Sequence, residues 1–377
     1  MNDPEPLATI PFGDTDGHIV IKARVGAAEL DLVLDTGMSA PVLFLNRAEL
    51  RARLGLSGGE SVMIGGAGGG EPRRGTVFAG VPTSLGGLEL GNQTVCMPDD
   101  DDGHLPGFDG VIGKGIFDRW VVGIDFDGRT ISLFDPSGFG DADGEADGDW
   151  IPLSFKNGIP KVPVTVTMAD GRELPLDLVM DLGARHAVSL DAGGSGRIEP
   201  PAEYVETVVG RGVQGGVRGK VSRIAGLAVG GFRFAGVVGS FVEADAMAGG
   251  SALGADGNLG LGILGRFRIL VDYPRKRLRL VPGARFAEPF EHDMSGLCLA
   301  RLDNRSWLVL DVVEGSPGKE AGVLHGDRLV GLDGRDAASW GSAEAADALR
   351  TPGREALLLL ERDGARVEVA LRLRRLV

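Results

Sequence analysis

Leu30-Asp31-Leu32-Val33-Leu34-Asp35-Thr36-Gly37 and Leu176-Asp177-Leu178-Val179-Met180-Asp181-Leu182-Gly183 are nearly one stretch written twice in a chain of 377 residues. Each delivers an acid at the end of an apolar run, and a glycine follows two residues on. The repeat extends further. Gly107-Phe108-Asp109-Gly110-Val111-Ile112-Gly113-Lys114-Gly115-Ile116 matches Gly254-Ala255-Asp256-Gly257-Asn258-Leu259-Gly260-Leu261-Gly262-Ile263. Arg119 then matches Arg266, and Asp125-Phe126 matches Asp272-Tyr273. The acid blocks lie 146 positions apart and the glycine blocks 147. Two separated blocks holding almost one offset mark a duplicated unit of roughly domain size.

The halves share a strand plan. Ile19, Ile21, Ala23 and Val25 alternate with Val20, Lys22 and Arg24, and Val162, Val164, Val166 and Met168 alternate with Lys161, Pro163, Thr165 and Thr167. Period-two alternation predicts half-buried strands. Gly26-Ala27-Ala28 and Ala169-Asp170-Gly171 then turn the chain, and the return strand ends on Asp35 or Asp181.

Bulk composition narrows the function classes. Hydrophobic residues make up 43% and charged residues 24%, enough for a sizeable core in a chain of two or three domains. The net charge of -14 argues against a nucleic-acid partner or an anionic membrane surface. The 62 glycines, spread among short valine- and leucine-rich runs, point to many strands and tight turns. Cys96 and Cys298 are too few for a disulfide framework, have no metal-ligand spacing, and read as small buried apolar side chains. No metal or cofactor is expected. No apolar run reaches eighteen residues, so no membrane span is expected. The first residues have neither a basic start nor an apolar core. The default expectation is therefore cytoplasmic, or periplasmic or secreted if the chain is processed or truncated.

Asp141-Ala142-Asp143-Gly144-Glu145-Ala146-Asp147-Gly148-Asp149 lacks EF-hand spacing and reads as an acidic linker, and Asp99 to Asp102 as a solvated turn. Past Phe290 the character changes. Strands are expected at Gly296–Leu299, Trp307–Val313, Leu357–Leu360 and Val367–Leu373, and helical turns at Lys319–Val323 and Ser342–Leu349. This is a compact β-rich module with two helices.

Two carboxylates a few ångströms apart cannot both ionise cheaply, so such a pair shares one proton. One member then accepts a proton from water while the other donates to a carbonyl oxygen. Asp35-Thr36-Gly37 resembles the signature of pepsin-like and retroviral-type aspartic proteases. Val111-Ile112-Gly113 and Asn258-Leu259-Gly260 resemble the apolar-apolar-glycine element that passes behind each catalytic loop. Gly296-Leu297-Cys298-Leu299 resembles the carboxylate-binding loop of a bacterial-type PDZ domain, and Ser316-Pro317, Ala321-Gly322-Val323 and Gly326-Asp327 its most recognisable run. Together these resemble a bacterial single-chain retropepsin-type aspartic protease with a C-terminal PDZ domain.

The resemblance implies a mostly β chain with two pseudo-symmetric β-barrel-like lobes and a PDZ-like module. The expected divisions are an N-terminal lobe at 1–140, the linker at 141–149, a C-terminal lobe at 150–286 and the PDZ module at 287–377. It implies Asp35 and Asp181 as catalytic, with Thr36, Gly37, Leu182, Gly183, Gly113 and Gly260 supporting their loops. A flap is expected from glycine-rich stretches containing Gly65, Gly66, Gly68 and Gly215. Gly296, Leu297, Cys298 and Leu299 are expected to bind a peptide. The expected partners are a peptide or protein substrate and a C-terminal tail on the PDZ module, and the expected state is a monomer.

Leu182 departs from the pattern, which has Thr or Ser after each acid. A lost hydroxyl leaves a backbone partner unmet, at about 1–3 kcal/mol if buried. The competing reading is a non-catalytic peptide-binding adaptor. A homodimer of first lobes is disfavoured, because a covalent second lobe already takes that surface. Arg185 and His186 are read as surface or core residues. His18, His104, His292 and His325 do not cluster.

Overall fold

The computed structural model describes residues 4–38, 42–100, 107–139, 149–193, 196–242, 254–303 and 305–377. The first half contributes β1 (Ala8–Pro11), β2 (Gly13–Thr15), β3 (His18–Val25), β4 (Ala28–Leu34), β5 (Val42–Leu45), β6 (Glu60–Ile64), β7 (Arg73–Leu85), β8 (Leu88–Pro98), β9 (Gly110–Ile112), β10 (Val121–Asp125) and β11 (Thr130–Phe134). The second contributes β12 (Trp150–Pro152), β13 (Ser154–Lys156), β14 (Ile159–Thr167), β15 (Glu173–Met180), β16 (Val188–Asp191), β17 (Val205–Gly212), β18 (Gly215–Val229), β19 (Phe232–Val242), β20 (Gly257–Leu259), β21 (Phe267–Asp272) and β22 (Arg277–Pro282).

The two lobes have one topology. The first sheet runs β2-β3-β4-β9-β5-β8-β7-β6 and the second β13-β14-β15-β20-β16-β19-β18-β17. Local chemistry repeats too. Gly86-Gly87 closes β7 onto β8 and Gly230-Gly231 closes β18 onto β19, and all four glycines have positive φ. A two-residue hairpin turn of that twist favours such residues.

β1, β11 and β10 join β21, β22 and β12 in a six-stranded sheet that both halves build. At its centre β10 pairs antiparallel with β21, and Gly123 faces Leu270. Those two residues are 147 positions apart, the same offset as the glycine blocks. A strand pairing centred on its own repeat equivalent is what a local two-fold axis produces. The duplication in sequence is therefore a rotation in space.

The expected alternation in β3 holds for Ile19, Ile21, Ala23 and Val25, which are buried, and for Lys22 and Arg24, which are exposed. Val20 differs. It is buried against Val33 and Phe108, because this end of the sheet is covered on both faces. One continuous apolar core runs through both lobes.

The C-terminal module has its own core, built from Leu297, Trp307, Val309, Leu329, Leu358 and Leu360 among others. Its sheet runs β23 (Leu297–Asp303), β24 (Ser306–Val312), β25 (Arg328–Leu332), β27 (Glu355–Arg362) and β28 (Ala365–Arg372), with β26 (Arg335–Asp336) beside β25. Helices span Pro317–Glu320 and Ser342–Ala348. Ser316 caps the first by accepting from the Lys319 N–H, with Pro317 at its start, the residues a helix N-terminus prefers.

The module is pinned to both lobes. Arg301 lies 3.8 Å from Asp16 in the β2–β3 turn. Arg218 of β18 pairs with Asp311 at 3.1 Å, and the Cys298 thiol points at the Val208 carbonyl of β17. Arg223 donates to the Phe290 carbonyl and to a main-chain oxygen of Val377. The connecting segment folds over Arg266, which donates to the carbonyls of Arg285, Phe286 and Glu288.

Candidate active site

β4 runs parallel to β9, and the Asp35 N–H donates to Ile112 O at 2.9 Å. β15 runs parallel to β20, and the Asp181 N–H donates to Leu259 O at 2.9 Å. The glycine after each supporting strand is required by contact. A Cβ on Gly113 would lie 1.8 Å from Asp35 O, and one on Gly260 2.4 Å from His186 O. Asp109 and Asp256 do matching work that the sequence reading did not assign. Their carboxylates accept the N–H of Asp31 and of Asp177, each at 2.9 Å, and tie the supporting loop to the acid strand. Their identical place in the repeat was the available signal.

The two acids meet. Asp35 Oδ1 accepts from the Gly37 N–H at 2.6 Å, and Asp181 Oδ1 from the Gly183 N–H at 2.9 Å. Each carboxyl also sits over the other loop's glycine. A Cβ on Gly183 would lie 2.6 Å from Asp35 Cγ, and one on Gly37 3.1 Å from Asp181 Cγ. The two carboxyls are close enough for each to bear on the other's ionisation. Burial raises both above the usual carboxylate range. At Asp181, burial and then the charge of Asp35 push the group up to about 8. The pair therefore holds a proton across neutral pH.

The loops are locked by one hydroxyl. Thr36 Oγ1 donates to Met180 O at 2.5 Å and accepts from the Leu182 N–H at 3.0 Å. Leu182 has no hydroxyl to return the pair of bonds. Its side chain is fully buried in the shared core instead. The departure in sequence thus exchanges half of a polar lock for apolar packing and leaves the acids together.

Outside the loops, Asn258 on β20 donates from Nδ2 to Asp181 Oδ2 at 2.7 Å. The first lobe has Val111 at the equivalent position. Sequence reading placed Asn258 only within the apolar-apolar-glycine element. Its break with the apolar pattern was the clue.

The glycine-rich stretches form the turns of two hairpins, β6–β7 and β17–β18, and the turns interlock. The Gln214 N–H donates to Ala67 O at 3.0 Å, and the Gly70 N–H to Gln214 O at 2.8 Å. The Gln214 side chain accepts from the Gly66 N–H at 2.9 Å and donates to Gly70 O at 2.6 Å. Gly68, at φ +127°, makes room for this: a Cβ there would lie 2.4 Å from the Gln214 carbonyl carbon. Ala67 and Gln214 are 147 positions apart, like Gly123 and Leu270. Central sheet, acid pair and hairpin tips are three sets of repeat equivalents that meet across the same pseudo-two-fold axis. Gly65 borders this junction, and Gly215 follows Gln214 in the β17–β18 turn.

Other sequence candidates lie apart from the pair. Arg185 donates to Asp16 O at 2.9 Å and ties the second acid loop to the first lobe. Burial and Arg185 hold His186 and His18 at about 4, so both are neutral at pH 7. Cys96 and Cys298 are free and only partly buried, and burial raises both thiols. Among the described residues no group of His, Cys, Asp and Glu is arranged to hold a metal. Asp99 and Asp100 bond to Thr76 and Arg73. Asp101, Asp102, His104 and the linker as far as Gly148 lie outside the described residues. Among the described residues no helix is long and apolar enough to cross a membrane.

In the C-terminal module, Gly296 to Leu299 lead into β23, the edge strand of its sheet. Gly296 has φ +75°, and its N–H donates to Asp293 Oδ1 at 2.7 Å. The Leu297 N–H donates to Ser295 Oγ at 3.1 Å. Two amides of this run are thus already engaged within the chain. A PDZ domain family model matches residues 308–362. The C-terminal module is a PDZ domain. The match begins within β24, so the Gly296–Leu299 run of the PDZ domain precedes it. No curated protein matches the chain. Among solved structures, an aspartic proteinase from Irpex lacteus is similar over 74% of this chain and 98% of that one, at 14% identity and a TM-score of 0.46.

Proposed function

We propose that the chain is an aspartic endopeptidase of the bacterial, single-chain retropepsin-like kind, in which lobes at 1–140 and 150–286 share one catalytic pair. The observation that carries this reading is the meeting of Asp35 and Asp181 on the axis that also carries the interlocked hairpin tips. One carboxylate takes a proton from the attacking water while the other, protonated, donates to the peptide carbonyl oxygen. The tetrahedral species collapses when the amine leaves with a proton, and the pair returns to its starting charge. The hairpin tips act as paired flaps that part for substrate and then shield the pair from bulk water. The PDZ domain, from 287, binds a peptide or protein segment by strand addition along β23.

Leu182 motivates the competing adaptor reading, which requires the acids to be separated or the site filled. The burial of Leu182 in the shared core, with each carboxyl against the other loop's glycine, favours catalysis. The test is cleavage of a diverse peptide library by the wild-type chain and by Asp35→Asn. Cleavage by the wild type and none by the variant is the expected result. Equal cleavage by both, or none by the wild type between pH 3 and 8, would sink the assignment.

A further inference from the structure

The two lobes are rotated copies, yet the proton they share must sit on one acid or the other. On the first side, Asp35 receives the Gly37 N–H. On the second, Asp181 receives the equivalent Gly183 N–H and, in addition, the Asn258 amide at 2.7 Å on its other oxygen. The residue at the equivalent position of the first lobe is Val111, which packs with Val33 and Phe108 and has no side-chain donor. A donor aimed at a carboxylate favours its ionised form. Asn258 is fixed by its strand: it pairs with Val179 on one side and Ser189 on the other.

Resting on the protease reading, we propose that Asn258 is a positioning residue that breaks the symmetry of the pair. Its amide supports the ionised form of Asp181 alone, and so sets how readily Asp181 gives up the shared proton to the carbonyl oxygen while Asp35 takes the proton of the water. No proton is gained or lost by Asn258, so charge and atoms balance between the two acids and the water. Few other titratable groups face the pair. Tyr273, after β21, lies near enough to Asp35 for that charge to help keep its phenol protonated. Arg185 turns to Asp16 O, and His186 is neutral at pH 7.

The assignment makes a one-sided forecast. Removing the donor destabilises the ionised form of Asp181, so the second proton, held on Asp181, leaves at higher pH. The first ionisation, at Asp35, is scarcely altered. The variants are Asn258→Leu, close to Asn in shape, and Asn258→Val, the first lobe's own residue. If one fails to fold, the other is read. Carboxyl titration by carbon NMR of Asp-labelled protein reports the pair whether or not any peptide is cleaved. The expected result is a rise of about 1–2 units in the upper step, the size of a hydrogen bond to a charged group, with the lower step held. The alkaline limb of the kcat/KM profile should move by the same amount. A folded variant whose upper step stays put, or whose two steps move together, overturns the role of Asn258. Peptide cleavage by Asp35→Asn separately decides the protease reading.

Discussion

The two acid loops have the same backbone path and different side chains. The first carries Thr36 and has Val111 at the repeat position on its supporting strand; the second carries Leu182 and has Asn258 at that position, bonded to its acid. In the first, polarity goes to the lock between lobes. In the second, it goes to the carboxylate itself. A duplicated site therefore need not duplicate its parts. One hydroxyl can both donate to Met180 O and accept from the Leu182 N–H, so a single threonine secures both loops on one side of the axis. The opposite side is then free to contribute apolar burial.

The largest test of this comparison is steric. Gly183→Ala would put a Cβ 2.6 Å from Asp35 Cγ, while Gly37→Ala would put one 3.1 Å from Asp181 Cγ. The closer approach must displace Asp35. Because a shift near 1 Å at a reacting group can cost about 100-fold, the expected loss of kcat/KM is roughly 100-fold or more for Gly183→Ala. The loss for Gly37→Ala should be clearly smaller. Equal losses would mean the loops are more alike than their contacts suggest.

The lock comes next. Thr36→Val removes the hydroxyl and strands Met180 O and the Leu182 N–H, both buried at this contact. Chemical denaturation should register a loss of about 2–4 kcal/mol, two unmet groups at about 1–2 kcal/mol each. Leu182→Thr should change stability least, by about 1 kcal/mol, since a restored hydroxyl offsets part of the lost apolar burial. A larger loss for Leu182→Thr than for Thr36→Val would place the strength of the second loop wholly in its packing.

Much of this is legible in the sequence. The offset repeat gave the two lobes, because a duplicated strand order leaves its apolar alternation and turn glycines in place. Asp35, Asp181, Gly113 and Gly260 stood out for the same reason. The C-terminal module announced itself through strand lengths and the Ser316-Pro317 helix start. The rest depended on contacts between distant segments. That Gln214 threads into the Gly66–Gly70 turn follows from the axis rather than from either hairpin alone. That Arg218 and Val208 touch the PDZ domain is invisible to periodicity. Asn258 was visible only as a polar residue where Val111 stood in the other copy, and its target required knowing where Asp181 Oδ2 lay.

The central claim is that two halves make one acidic site with one shared proton. The most direct test is unfolding free energy against pH for the wild type, Asp35→Asn and Asp181→Asn. The native pair keeps a proton that the unfolded chain releases near the ordinary carboxylate pKa of 3.8, because its own value is raised, to about 8 at Asp181. Stability from this source is thus fullest below that ordinary value and is lost as pH rises toward 8. Either single variant removes the mutual repulsion and leaves the burial, so in each the slope should shrink and end at lower pH than in the wild type. Independent acids would contradict this: the slope in Asp35→Asn would still run up to about 8 at Asp181, as in the wild type.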